Sequence, residues 1–363
     1  MIVSIVYFIL YFLLFLTLLI LLIFNRKRYA LQQLHQPHIS ILVAARNEEH
    51  TILRCLQSIS ALDYPAGKIE VLIGDDDSSD GTHAMVEAFI QDKPGYRCIS
   101  IGQNTGDTKG KANVLAQLAK HATSDFFFYT DADIAVPPNW VRGMLSEMKE
   151  DTGVVTGITS VEGNSFWARL QAMDWLYALG LMQVVSDLKL PVSTMGNNML
   201  LRRQAYEGVG GFEGIGFSIT EDIAIFNAII KKGWDFRNVY DKSVLALSTP
   251  AVHFTDFLHQ RKRWMRGSMH LPLYMAIIFI LHSAYYPVLL PFFTYTSVGV
   301  ALAIFVFKLL LQSLYVHICL QRLGQSAPWW FYIAFEIYLV VTSVILILYF
   351  FLPLSISWKG RKY

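Results

Sequence analysis

Phe126-Phe127-Phe128-Tyr129-Thr130-Asp131-Ala132-Asp133-Ile134 joins an aromatic run to an acidic dyad near the middle of the polar part of the chain. An uncharged aromatic run this short reads as a buried strand, and the carboxylates after it emerge where open parallel sheets hold their ligands. One residue separates Asp131 from Asp133, so both side chains can reach a single hard cation. Mg²⁺ is usually held by one or two carboxylates together with substrate phosphates, which makes a nucleotide diphosphate the natural completion of such a site. Aspartates also favour turns for reasons internal to the backbone, so a capped turn is the competing reading of the dyad.

Upstream of the dyad, strands and helices alternate. Residues 38–44 form a strand-like run, followed by Asn47 as a helix cap with Glu48 and Glu49 in the first turn and Ile52, Leu56 and Ile59 at helical spacing. Residues 69–73 repeat the plan, with a polar turn from Asp75 to Thr82 and a helix whose apolar face is Met85, Val86, Phe89 and Ile90. A third strand near residues 98–101 leads through Lys109-Gly110-Lys111 into a helix ending near Ala119. This β-α-β-α order predicts a mostly parallel sheet with right-handed crossovers and a ligand crevice at the strand ends.

Four further groups of residues stand out. Asp75, Asp76, Asp77 and Asp80 crowd one turn, where like charges raise one another's pKa unless cations or donors compensate, so ligand binding and plain turn chemistry both fit. Gly196-Asn197-Asn198 and Gly210-Gly211-Phe212 carry glycines that permit close backbone approaches. Thr220 reads as the cap of an apolar helix with Glu221 and Asp222 in its first turn, which explains these residues structurally without requiring catalysis. Gln260, Arg263 and Trp264 share one helix face, an amide, a guanidinium fork and an indole suited to a diphosphate and a sugar ring. Arg261, Lys262 and Arg266 are expected to touch anionic lipid instead.

Composition places these clusters in a membrane setting. A chain of 363 residues has room for about two domains. With 54% hydrophobic and 16% charged residues it is too apolar for an ordinary soluble protein, and the excess lies at the two ends. No charge interrupts Ile2 to Phe24, long enough to cross a bilayer, and the basic Arg26-Lys27-Arg28 comes after it. That order favours an uncleaved anchor over a signal peptide and puts the polar middle of the chain in the cytoplasm. Residues 287–307 and 331–352 are long enough to span, whereas 271–281 reads as an interfacial segment. The basic tail Trp358-Lys359-Gly360-Arg361-Lys362-Tyr363 should face the cytoplasm, which requires an even number of crossings after the polar middle, here two. Residues 297–320 are a candidate for an additional or re-entrant segment around Lys308. Glu336 inside a span is functional by default, or solvated if it lies near a helix end. A net charge of +2 without a basic aromatic stripe excludes nucleic acid as a partner. Cys55, Cys98 and Cys319 lack metal-ligand spacing and read as packing residues of a reduced compartment.

The ordered set Asp75-Asp76, Asp131-Ala132-Asp133, Thr220-Glu221-Asp222 and Gln260-x-x-Arg263-Trp264 resembles the family 2 inverting glycosyltransferases with a GT-A fold. Their membrane members include cellulose, chitin and hyaluronan synthases, and ceramide glucosyltransferases carry a related pattern. The resemblance spans about residues 38–266 and includes Arg46-Asn47-Glu48 and Gly210-Gly211-Phe212. It implies an α/β, Rossmann-like GT-A domain over residues 36–268, an N-terminal transmembrane anchor over 1–28, and interfacial and transmembrane helices over 269–363. By that resemblance Asp76 and Asp75 contact the nucleotide base, and Asp131 and Asp133 hold a divalent cation, Mg²⁺ or Mn²⁺, against the nucleotide-sugar diphosphate. Asp222 is then the catalytic base, and Gln260, Arg263 and Trp264 frame the diphosphate and the acceptor. Lys111 falls where relatives often carry a basic residue near the donor, and Asp77 where a glycine is common.

The implied activity is metal-dependent, inverting transfer of a sugar from a nucleotide-sugar, first of all a UDP-sugar, to a lipid or lipid-linked acceptor at the cytoplasmic membrane face. Few crossings leave little material for a polymer channel, so a processive polysaccharide synthase ranks second. A catalytically silent membrane scaffold and a metal-dependent nucleotidyltransferase are the remaining alternatives.

Overall fold

The computed structural model describes residues 1–27, 29, 36–104, 108–216, 218, 220–353, 357, 358, 361 and 362. Arg28, Ile219, Lys359, Gly360 and Tyr363, together with the side chains of Trp358, Arg361 and Lys362, lie outside the described residues.

Helix α1 (Ile2–Phe24) precedes strand β1 (Ile39–Ala45), helix α2 (Ile52–Ser60), strand β2 (Ile69–Asp75), helix α3 (Thr82–Ile90) and strand β3 (Tyr96–Ser100). Helix α4 (Lys111–His121) leads into β4 (Phe126–Asp131), then β5 (Ile134–Ala135), α5 (Trp140–Leu145), β6 (Thr152–Thr156) and β7 (Ile158–Val161). Next come the long α6 (Phe166–Asp187), β8 (Asn198–Arg202), α7 (Arg203–Glu207) and α8 (Gly211–Gly214). The polar part closes with α9 (Glu221–Lys231), β9 (Asp235–Asn238), β10 (Leu245–Ser248) and α10 (Phe254–Ser268).

Seven strands form the main sheet in the order β3-β2-β1-β4-β8-β6-β9. Pairs β1–β2, β1–β4, β2–β3 and β6–β9 are parallel, while β8 runs antiparallel to both neighbours, so the sheet is mostly parallel as expected. The chain winds outward from β1 to β3, then returns to lay β4 on the other edge of β1. That reversal is a switch point, where open sheets leave a crevice beyond the strand ends. Register sets what stands there: Ala45 pairs with Asp75 and Ala44 with Asp131, so both aspartates reach the same rim.

Strand alternation divides the core. Ile41, Val43, Ile73 and Phe128 face the α2, α3 and α5 layer with Leu56, Val86 and Trp140. Leu42, Leu72, Phe127 and Tyr129 face the opposite layer with Leu118 of α4 and Ile225 of α9. Each such side chain contributes about 1.5–3 kcal/mol on burial. Cys55 and Cys319 are buried in the same packing, as their spacing suggested. Asn47 does not cap α2, whose N-cap residue is Thr51. Its backbone has φ +51° and its Oδ1 accepts from Ser79 N at 2.8 Å, tying this loop to the acidic turn.

Beyond the domain, α11 (Leu273–Ser283), α12 (Tyr285–Phe292), α13 (Val298–Arg322) and α14 (Trp329–Phe351) complete the described helices. Among the described residues, four segments are long and apolar enough to cross a membrane: α1, the stretch Leu273–Phe292, α13 and α14. Three therefore come after the domain, not two, and residues 287–307 are not one helix. The break has a local cause that hydropathy does not register: Thr294 Oγ1 bonds back to Pro291 O at 2.7 Å, and Ser297 Oγ accepts from Val300 N to cap α13. Glu336 is not solvated either. It is 4% exposed, ion-paired to Lys308, and accepts from Gln312 Nε2 at 2.6 Å and from Tyr286, joining α12, α13 and α14.

Candidate active site

Two adjoining cavities occupy the crevice, of about 410 and 860 Å³, and Lys111, Asp131, Asp133, Gln260 and Arg263 line both. Asp131 ends β4. Asp133 stands in the turn after it and accepts from Ser248 Oγ at 3.2 Å, on the strand that pairs antiparallel with β5. Lys111, first residue of α4, places its Nζ 2.5 Å from Asp131 Oδ1 and 3.4 Å from Glu221. Burial opposes the Lys111 charge, but Asp131 and Glu221 outweigh it and hold the pKa above the ordinary lysine value. Burial pushes the Glu221 carboxyl above its usual range; Lys111 opposes the shift and Asp222 adds to it.

Asp222 stands in the first turn of α9 and lines the smaller cavity with Asp131 and Asp133. Its Oδ2 accepts from Gly196 N and its Oδ1 from Ile223 N, each at 2.9 Å. Gly196 is needed there because a β-carbon would lie 2.9 Å from that of Asp222. Thr220 occupies the N-cap position but makes no capping bond with its hydroxyl. It packs against Gly267 of α10 so closely that a β-carbon on Gly267 would meet its methyl at 2.5 Å. Capping alone therefore does not account for the Thr-Glu-Asp sequence: Glu221 turns to Lys111 and Asp222 to the loop at Gly196.

Helix α10 presents Gln260, Arg263 and Trp264 to the smaller cavity, as their spacing predicted, and Trp264 meets Trp175 of α6 edge to face at 4.8 Å. The expectation for Arg261 and Lys262 fails. Arg261 is buried, pairs with Asp174 at 2.6 Å and stacks over Trp264, while Lys262 is 1% exposed and donates to Leu352 O at 2.7 Å at the end of α14. Neither is available to lipid headgroups; both fasten α10 to its neighbours.

The acidic turn divides into different tasks. Asp76 lines the larger cavity, where Arg46 bonds its carbonyl oxygen. Asp75 stands apart from both cavity linings, since successive residues at a strand end face opposite sides, and its Oδ2 lies 3.4 Å from His83 Nδ1. The expected base contact from Asp75 is thus not what its placement offers. Asp80 is structural: it accepts from Thr82 N, Thr82 Oγ1 and Glu49 N, and although burial acts the other way these bonds hold its carboxyl below the usual range. Asp77 adopts φ +56°, the left-handed backbone that the commoner glycine would take.

The sequence reading also missed residues. Trp175, Leu179 and Met182 of α6, with Leu271 and Phe279, carry the smaller cavity into apolar surroundings. These residues belong to no motif; only their convergence in space marks them. The dyad suits a divalent cation by its donor chemistry: two carboxylates one residue apart line the same two cavities, and Asp131 Oδ1 already meets a positive charge there, the Lys111 ammonium at 2.5 Å.

A mostly parallel α/β sheet with its acidic residues gathered at the switch-point rim is the architecture of the GT-A fold. The model of glycosyl transferase family 21 matches residues 2–363, and the chain belongs to that family. A mannosyltransferase from Pyrobaculum calidifontis, solved with GDP-Man and Mn²⁺, shares the fold at a TM-score of 0.58 and 17% identity, covering 94% of this chain and 96% of that one. The beta-monoglucosyldiacylglycerol synthase of Synechocystis is 27% identical over 241 residues, 64% of this chain and 48% of the relative. The poly-beta-1,6-N-acetyl-D-glucosamine synthase of Staphylococcus epidermidis is 26% identical over 249 residues, 67% and 58% of the two chains. The chain thus spans about half the length of the curated relatives it matches.

Proposed function

We propose that the protein transfers a single sugar from a nucleotide-sugar, a UDP-sugar in the first instance, to a lipid or lipid-linked acceptor at the cytoplasmic membrane face, with inversion at the anomeric carbon. One observation carries the choice of acceptor. The cavity that holds Asp222, Asp131 and Asp133 continues between Trp175, Leu179, Met182 and Phe279, and Phe279 belongs to one of the membrane-spanning candidates. A polar acceptor end presented to Asp222 with an apolar remainder along this wall suits a lipid better than a fully hydroxylated glycan chain.

Asp222 would act as the base, taking the proton of the acceptor hydroxyl as that oxygen attacks the sugar. Its carboxylate is aimed by Gly196 N–H, and general-base help of this kind is worth roughly 10²–10⁴ in rate. A Mg²⁺ or Mn²⁺ ion held by Asp131 and Asp133 would supply electrostatic stabilisation to the departing diphosphate. Arg263 and Gln260 line both cavities and would orient that diphosphate, while Asp76 faces the larger one and would meet the base. Lys111 keeps the acidic cluster from repelling an anionic donor.

Asp222→Asn tests the reading, because the amide keeps an oxygen for the Gly196 N–H while giving up the basicity and the bond from Ile223 N. Transfer should fall by at least about 10² with donor affinity retained; a variant with wild-type transfer removes Asp222 from this role. Likeness to a polysaccharide synthase makes processive polymer synthesis the second reading.

A further inference from the structure

On the side of β2 away from the cavities, three ligand-type side chains, His83, Glu87 and Cys98, converge beside Asp75. Register decides part of this: Cys98 of β3 pairs with Ile73, two residues before Asp75, so Cys98 and Asp75 project from the same sheet face, the one that α3 covers. His83 and Glu87 sit one turn apart on α3 and complete the group. The ligand atoms of His83, Glu87 and Cys98 all lie within 4.8 Å of one another, the one such group among the described residues. His83 Nδ1 is 3.4 Å from Asp75 Oδ2 and 3.9 Å from Cys98 Sγ. Donors in a tetrahedral zinc site stand about 3.5 Å apart, so both of these separations are near that value, and the exposed Glu87 lies within 4.8 Å of His83 and Cys98.

We propose that Asp75, His83, Glu87 and Cys98 form a second cation site, distinct from the Asp131–Asp133 dyad and selective for a zinc-class ion. Asp75 supplies an independent reason. It is 6% exposed, and its Oδ1 is buried without a hydrogen bond among the described residues, an anionic oxygen that burial penalises until something positive meets it. Ligand chemistry sets the selectivity: imidazole and thiolate favour zinc-class ions, whereas the all-oxygen dyad suits Mg²⁺ or Mn²⁺. An ion here pins β3 and α3 to the end of β2, next to the cavity-lining Asp76.

Full-length protein stripped of metal and titrated with Zn²⁺ in excess Mg²⁺ tests this, with Co²⁺ as the spectroscopic probe. The expected result is one Zn²⁺ per chain and a Co²⁺–thiolate charge-transfer band. Cys98→Ser should abolish the band and weaken Zn²⁺ at least tenfold, Glu87→Gln should weaken it, and Asp133→Ala should change neither. Absence of the band in the unmodified protein, or Zn²⁺ affinity unaltered in Cys98→Ser, overturns the site. None of these readouts depends on sugar transfer, so their failure is separable from failure of the proposed activity.

Discussion

Gly196 and Asp222 show how narrowly the site is set. A β-carbon on Gly196 would lie 2.9 Å from that of Asp222, so Gly196→Ala must displace the carboxylate it also hydrogen-bonds. Misplacing a reacting group by about an ångström costs up to roughly 10² in rate. Turnover in Gly196→Ala should fall by that order with donor affinity little changed, as steady-state kinetics and calorimetry would show. Asp133→Ala carries the opposite signature. It removes half of the dyad, so donor binding in Mn²⁺ should weaken to the metal-free level, measured by titration with and without the ion. The gathering of Asp131, Asp133, Asp222, Gln260, Arg263 and Trp264 at one cavity was legible in the sequence because short motifs in a fixed order specify them. Asp75 was not, since a doublet of aspartates does not reveal which one faces the crevice; strand alternation does.

At the scale of elements, β1 to β4 and the helices between them were readable from periodicity, because each strand is a short apolar run and each helix has one apolar stripe. The antiparallel insertion of β8 was not, as its pairing with β4 and β6 joins segments far apart in the chain. The C-terminal helices were misdivided because hydropathy measures composition, whereas Ser297 and Thr294 fix helix ends through hydrogen bonds. Lys308 and Glu336 now explain each other as a buried pair between α13 and α14. Removing one partner strands the other charge, a loss of about 3–5 kcal/mol, while replacing both with apolar residues of similar size is far less costly. Lys308→Met and Glu336→Leu should each lower the unfolding midpoint in detergent, and the double variant should recover most of the loss. Additive losses would show that the two residues act independently.

Across the whole molecule, the polar domain and the apolar helices share one cavity, whose acidic end lies at the sheet rim and whose apolar end reaches α11. The proposed lipid acceptor rests on this continuity, which composition and motif order alone do not reveal, because α6 contributes the wall without any recognisable motif. The direct measurement supplies purified protein with radiolabelled nucleotide-sugar, Mn²⁺ and a membrane-lipid extract, and tracks the label. The account predicts that label passes into organic solvent as a single-sugar lipid with unmodified protein and stays in the aqueous phase with Asp222→Asn. Label retained as high polymer, or equal transfer by the variant, would contradict it.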